Sequence, residues 1–169
     1  MKSAIWLFAV VILFTECKKG SNPVEEPVPF CGVNMLPLDN SGYFSFGKYY
    51  SMCGGPNCAS FYQLRNGAVY PDSMVHFTQP LVFSTIQLTA PNTLGIASTV
   101  LYSFPQEMTN HPDTTFGCPD CHDQGGYYIE YKASSTAPVQ YWSIDPDTAY
   151  LSNAMREYLG RVDTVLAHL

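Results

Sequence analysis

The stretch GGYYIEYKASSTAPVQYWSIDPDTAYLSNAMREYLGRVDTVLAHL, residues 125–169, joins two strand patterns to one helical pattern. Residues 127–132 and 139–144 are rich in aromatic and β-branched side chains, and the short polar link between them predicts an antiparallel pair. Asp145 is a good helix N-cap, and Pro146 suits the first helical position. An apolar stripe completes the helical pattern, formed by Leu151, Met155, Tyr158, Leu159, Val162, Leu166 and Leu169.

Strand patterns also occur in the first half of the chain. Residues 43–50 alternate aromatic with small side chains, and residues 58–65 and 68–70 flank Asn66-Gly67. Because Asn and Gly accept positive φ angles, this dipeptide predicts a two-residue hairpin turn. A further strand is predicted over residues 81–88, which are apolar and β-branched.

A helix is predicted to begin near Thr93, with Asn92 as its cap, and Pro105 is expected to end or kink it. The resulting β-β-α-β-β-α order predicts an α+β fold in which one antiparallel sheet carries two helices on one face. We expect these elements to form a single domain over residues 41–169.

Composition excludes several classes of protein. The chain has 169 residues, of which 46% are hydrophobic and 13% charged, and this apolar fraction is too high for a disordered chain. The net charge of −6 argues against nucleic-acid binding, which needs a basic face, and against electrostatic docking to anionic lipids.

The N-terminus reads as an export signal followed by a tether. Lys2 precedes eleven apolar residues, Ala4 to Phe14, a run too short for a bilayer span of about 20 residues. The pattern predicts a secretory signal over residues 1–16. Residues 17–40 include several prolines and glutamates, which predict an extended spacer.

Cys17 at the end of the apolar run resembles the lipobox of bacterial lipoproteins. The resemblance implies cleavage before Cys17 and acyl chains, such as palmitate, on its sulfur and its new amino group. The protein would then be anchored in the bacterial cell envelope, with the membrane as its partner. Lys18, standing where retained lipoproteins often carry Asp, favours the outer membrane.

Four cysteines lie in the predicted domain, namely Cys53, Cys58, Cys118 and Cys121. Because an exported chain meets an oxidising compartment, they are predicted to form disulfides. Four cysteines allow three pairings, among which the sequence does not choose, and Cys31 is left over.

The same cysteines leave two chemical alternatives. Four thiolates could hold a zinc ion in a tetrahedron, which would make zinc the one cofactor suggested by the sequence. Alternatively, the Cys118-Asp123 loop could exchange disulfides, although no helix N-terminus is predicted there to lower a thiol pKa. A hydrolase that uses Asp120 with Asp123 or Glu130 is a third and less favoured hypothesis, because loop Asp side chains usually bond nearby backbone.

The runs Gly117-Cys118-Pro119-Asp120-Cys121 and Cys53-Gly54-Gly55-Pro56-Asn57-Cys58 resemble sequences in small bacterial lipoproteins for which no activity is known. This resemblance would cover residues 43–169. It implies a class of protein and no chemistry.

Aromatic residues make up 14% of the chain and suggest a binding surface. Neighbours in a strand face opposite sides, so one ring of each aromatic pair should lie on the sheet face that carries no helices. Tyr127, Tyr141 and Trp142 are the candidate binding residues. The first functional hypothesis is therefore a non-enzymatic envelope module that binds a glycan or protein partner and is stabilised by disulfides. The alternative is a metal- or thiol-dependent envelope protein that works through the Cys118-Asp123 loop.

Overall fold

The computed structural model describes residues 33–34, 36–55 and 58–169. The predicted signal, Cys17 and Cys31 lie outside these residues. In chain order the elements are β1 (Val33–Asn34), β2 (Tyr43–Tyr49), β3 (Ala59–Arg65), β4 (Ala68–Pro71), α1 (Thr93–Tyr102), β5 (Phe104–Pro105), α2 (Gln106–Asn110), β6 (Thr114–Phe116), β7 (Gly126–Lys132), β8 (Gln140–Ile144), a 3-10 turn (Thr148–Tyr150) and α3 (Asn153–Leu166).

Six strands form one sheet in the order β4-β3-β2-β7-β8-β6, and β1 and β5 form a separate pair. Neighbouring strands are antiparallel, except that β6 and β8 run parallel. Together with the helices, this sheet confirms the predicted α+β class. The parallel strand β6 was not predicted, because its three residues are too few to display an alternating pattern.

Side-chain alternation gives the sheet two different faces. On one, which we call the helix face, Phe46, Ile129 and Trp142 are fully buried in a core shared with α1 and α3. On the opposite side, the second face, Phe61 and Tyr128 belong to a smaller cluster. The predicted packing of two helices on one face is therefore observed, but the other face is not bare.

The turn between β3 and β4 forms as predicted. Asn66 and Gly67 both have positive φ angles, 51° and 69°, and they connect paired residues Arg65 and Ala68. This geometry matches the right-handed twist of the two flanking strands.

The last helix keeps most of its predicted stripe, with Val165 buried and Leu166 only half-buried, but it begins later than predicted. Its N-cap is Ser152, whose Oγ accepts the N–H of Met155 at 3.3 Å. Asp145, the predicted cap, instead accepts the N–H of Cys118, a residue 27 positions away. The Asp145 carboxylate, which local capping rules assign to the start of a helix, is thus bound to a residue that is distant in sequence. The buried positions of α3 are Met155, Tyr158, Leu159, Val162 and Val165.

Residues 72–92 cover part of the second face and do not form the strand predicted over residues 81–88. The segment contacts β4 through two backbone hydrogen bonds, from Ser84 to Pro71 and from Leu88 to Val69, and it pairs with itself at a bridge between Asp72 and Phe83. A regular ladder cannot continue there, because β4 ends at Pro71, which has no N–H to donate. The side chains that pack on the second face are Met74, Phe77, Leu81 and Phe83.

Helix α1 begins at Thr93, as predicted, and ends at Tyr102. Pro105 lies in an extended conformation two residues beyond Ser103, so the predicted break is confirmed. Among the described residues, no helix combines the length and the apolar character needed to cross a bilayer.

Candidate functional site

The three aromatic residues predicted to bind a ligand do not share one face of the sheet. Tyr127 and Trp142 lie on the helix face and are 4% and 0% exposed. The indole N–H of Trp142 donates to the carbonyls of Met108 and His111 at 2.8 and 2.9 Å, so its polar atom is used internally. Only Tyr141, which is 38% exposed, lies on the second face.

Tyr127 joins the sheet to α3. Its hydroxyl donates to Asp163 at 2.8 Å, and Lys48 Nζ forms an ion pair with the same carboxylate at 2.7 Å. Lys48 Nζ also lies 4.5 Å from the centre of the Tyr127 ring. Burial raises the pKa of Tyr127 to about 12. These contacts stabilise the packing of α3 and leave Tyr127 little surface for a ligand.

On the second face, Tyr43, Tyr128 and Tyr141 surround Glu130, and we call these four residues the tyrosine patch. Tyr43 donates its hydroxyl to Glu130 Oε1 at 2.6 Å, and Tyr128 donates to Oε2 at 3.3 Å. The rings of Tyr128 and Tyr141 are stacked, with centroids 6.1 Å apart. Both carboxylate oxygens are therefore held in place by tyrosine hydroxyls.

The hydroxyls of Tyr43 and Tyr128 remain hydrogen-bond donors over the ordinary pH range. Burial, together with the neighbouring Glu130 carboxylate, raises the pKa of Tyr43 and of Tyr128 well above the usual value. The patch thus combines protonated hydroxyls, one carboxylate and the partly exposed rings of Tyr43 and Tyr141, whereas the Tyr128 ring is buried.

Tyr43 and Tyr128 were not among the predicted binding residues. Strand alternation could have identified Tyr128, because apolar Ile129 marks the core side of β7 and its two neighbours must face the other way. Tyr43 could not be identified in this manner, because its approach to Glu130 depends on the pairing of β2 with β7.

The segment 72–92 packs on the Tyr128 end of the patch. Phe77 stacks on Tyr49 with 4.1 Å between ring centroids and approaches Tyr128 at 5.3 Å. Between the patch and β4, Gln63 donates its amide to the buried hydroxyl of Ser45 at 3.1 Å. The polar side chains in the middle of the second face are therefore hydrogen-bonded to each other, and apolar side chains pack at one end.

The four described cysteines form two pairs that are close in sequence. Cys53 is joined to Cys58, with 5.3 Å between their Cα atoms, and Cys118 to Cys121, with 5.5 Å. These are the disulfide bonds that export to an oxidising compartment predicts, in one of the three pairings that the sequence left open.

The two disulfide loops meet at one end of the sheet. Tyr49, the last residue of β2, is paired with Ala59 after the first loop and with Gly126 after the second. Gly125 allows the loops to touch, because a Cβ there would lie 2.6 Å from the ring of Tyr50. The cysteine pairs thus brace neighbouring loops.

Asp145 organises the second of these loops and was missed as a site residue. Its carboxylate accepts N–H groups from Cys118 at 2.9 Å and Asp147 at 2.8 Å, and the Gln124 amide at 3.4 Å. Burial acts to raise the pKa of Asp145, but these donors and nearby His122 outweigh it, so the pKa lies below its usual value. The only sequence signal here was the capping pattern, which pointed to the wrong partner.

A hollow of about 500 Å³ opens beside this loop. It lies between the disulfide loop and the turn that precedes α3. Its lining includes Cys118, His122, Gln124, Asp145 and Tyr150.

The loop carboxylates considered for hydrolysis have separate surroundings. Asp120 accepts the N–H of Gly125 at 2.9 Å and so closes its own loop, whereas Glu130 is bound by the tyrosines of the patch. Asp123 is exposed on the loop. Within residues 33–34, 36–55 and 58–169, no group of three or more His, Cys, Asp or Glu side chains is arranged to hold a metal ion.

Neither a protein-family model, nor a curated protein sequence, nor a solved structure matches this chain.

Proposed function

We propose that the chain is a lipid-anchored protein of the bacterial cell envelope and that its folded part binds a partner without catalysis. The contact surface is the accessible part of the tyrosine patch, formed by Tyr43, Glu130 and Tyr141. The observation that carries this proposal is the ring of three tyrosines around Glu130, in which both carboxylate oxygens are already held by hydroxyl groups.

The patch has the properties of a recognition surface. Tyrosine offers a large amphipathic contact area at a small cost in conformational entropy, since only two torsion angles must be fixed. Glu130 is preorganised by Tyr43 and Tyr128, so a ligand does not have to order it. Preorganisation of this kind contributes to affinity and is not needed for the stability of a surface strand.

A neutral glycan is the partner that suits this chemistry best. The exposed ring of Tyr141 offers an apolar face to the C–H groups of a sugar, and Glu130 accepts hydroxyl protons. A net charge of −6 disfavours polyanionic partners. The disulfides and the sheet supply a rigid support.

Binding can be tested with the purified full chain and neutral polysaccharides, both soluble and insoluble, by calorimetry and by co-sedimentation. Tyr141→Ala and Glu130→Gln should each weaken binding about tenfold, the equivalent of about 1.4 kcal/mol. Tyr102→Ala is the matched control, because Tyr102 is an exposed tyrosine on α1, away from the second face. Absence of glycan binding, or equal effects of all three substitutions, contradicts the proposal.

The anchor can be tested separately. Cys17→Ser should release the protein from the membrane fraction and abolish labelling by a palmitate analogue. Cys31→Ser, in the same N-terminal region, should change neither property. Retention of the label in Cys17→Ser would exclude this cysteine as the site of acylation.

A further inference from the structure

The two disulfides differ in how easily a partner can reach them. Cys118 and Cys121 are both exposed, whereas Cys58 is fully buried. Exchange begins when a thiolate attacks a disulfide sulfur, so access to that sulfur is the first requirement. The Cys118–Cys121 bond meets this requirement, and the buried end of Cys53–Cys58 does not.

The loop around Cys118 is held by hydrogen bonds that do not depend on the disulfide. Cys121 donates its N–H to the Cys118 carbonyl at 3.2 Å, and Asp145 accepts the N–H of Cys118. Asp120 and Gly125 close the loop with two further bonds of 2.8 and 2.9 Å. Reduction would therefore leave the two thiols adjacent, so the bond could form again without refolding.

The disulfide also adds little constraint of its own. It links residues only three positions apart, and the entropy that a crosslink removes from the unfolded chain falls as the loop becomes shorter. Stabilisation of the fold is therefore a weak explanation for the Cys118–Cys121 bond.

The surroundings distinguish the two sulfur atoms. Cys118 lines the hollow of about 500 Å³, which gives an incoming group room to approach. Asp145 lies against the backbone of Cys118, and its negative charge disfavours a thiolate on that side. His122 lines the same hollow beside Asp145, so an imidazole lies along the path by which a thiolate reaches Cys118.

We propose that Cys118–Cys121 is a thiol–disulfide exchange site that accepts two electrons from a dithiol partner, independently of the tyrosine patch. One thiolate of the partner attacks Cys118 Sγ, the Cys118–Cys121 bond breaks, and its electron pair remains on Cys121 Sγ. The second thiolate of the partner then attacks the partner sulfur that is bound to Cys118 in the mixed disulfide, and Cys118 leaves as a thiolate. The partner becomes a disulfide, and the two protons that it lost are taken up by Cys118 and Cys121.

The first test exposes the oxidised full chain to reduced dithiothreitol for increasing times, followed by alkylation and peptide mapping. Cys118 and Cys121 should become alkylated at least about tenfold faster than Cys53 and Cys58, because their bond is exposed and Cys58 is buried. Near-UV circular dichroism should not change while only Cys118–Cys121 is reduced. Reduction of both pairs at the same rate, or loss of the dichroism signal together with reduction of Cys118–Cys121, overturns the proposal.

The second test measures the rate of reduction by dithiothreitol at neutral pH. His122→Ala should slow the reduction of Cys118–Cys121 about threefold or more, because the thiolate that approaches Cys118 through the hollow loses the side chain that offsets the negative charge of Asp145. His111→Ala is the matched control, because His111 is an exposed loop histidine that does not line the hollow. Equal rates for the two variants overturn the proposed direction of attack.

Discussion

Tyr158 on α3 places its hydroxyl in the main core. Its ring packs edge-on against Phe104, and its hydroxyl is buried with no hydrogen-bond partner in the part of the chain that the structure describes. An unsatisfied buried hydroxyl costs about 1–3 kcal/mol. Tyr158→Phe should therefore raise the free energy of unfolding, by about 0.5–1 kcal/mol, in a denaturant titration.

Tyr131→Phe is the control for this substitution. Tyr131 is also buried, but its hydroxyl donates to the carbonyl of Pro37. Removing that donor leaves a carbonyl unpaired and should lower stability by about 1 kcal/mol. A loss of stability in both variants would mean that the Tyr158 hydroxyl is satisfied in solution.

Asp145 gives a prediction about acid stability. Its pKa is lowered in the fold, so the stabilisation from its charged form is fully present above its unfolded pKa of about 3.9 and is lost as pH falls through the lower folded value. Asp145→Asn puts an amide donor opposite N–H donors and removes this contribution. The difference in melting temperature from wild type should be large at pH 7 and should shrink toward pH 3, as thermal unfolding would measure.

The exposed Asp123 provides a comparison for the acid-stability experiment. Asp123→Asn lies on the same loop but outside the hydrogen bonds of Asp145, so its effect should be small at every pH. A deficit in Asp145→Asn that does not change with pH would show that shape, and not charge, accounts for its role.

At the scale of elements, replacing two glycines by alanine should change the free energy of unfolding in opposite directions. Gly67 has a φ of 69° in the turn between β3 and β4, a conformation that costs an L-residue about 1 kcal/mol or more. Gly160 is exposed within α3, and a Cβ there would meet no atom within 4 Å. Gly67→Ala should lower stability by about 1 kcal/mol, and Gly160→Ala should raise it by about 0.5–1 kcal/mol. Chemical denaturation of both variants checks the signs, and equal signs would contradict the turn or the helix.

The elements that sequence could predict are those specified by neighbouring residues. The Asn66-Gly67 turn and the apolar stripe of α3 are local patterns, and both are found in the structure. The start of α3 and the pairing of β6 with β8 depend instead on contacts between distant residues, such as Asp145 with Cys118. The tyrosine patch was predicted only in part for the same reason, because the register between strands decides which rings meet.

At the scale of the whole molecule, the sheet separates two apolar clusters of unequal size. The larger contains Phe104, which contacts Phe44, Trp142 and Tyr158 and lies between the sheet and the helices. The smaller lies on the second face and is closed by Phe77 from the segment 72–92. Because the segment 72–92 packs on the larger cluster only through Leu88, the smaller cluster should open without the larger one.

Phe77→Ala tests whether the two clusters open independently. The substitution removes the stacking of Phe77 on Tyr49 and Phe61 and should cost about 2 kcal/mol, because the ring is only half-buried. Backbone exchange measured by hydrogen–deuterium mass spectrometry should accelerate across residues 72–92 and remain slow in α3.

Phe104→Ala, by contrast, should cost about 3–5 kcal/mol and accelerate exchange throughout the sheet and helices. If Phe77→Ala also accelerates exchange in α3, the two clusters form one cooperative unit, and the tyrosine patch owes its rigidity to the segment 72–92 as much as to the sheet beneath it.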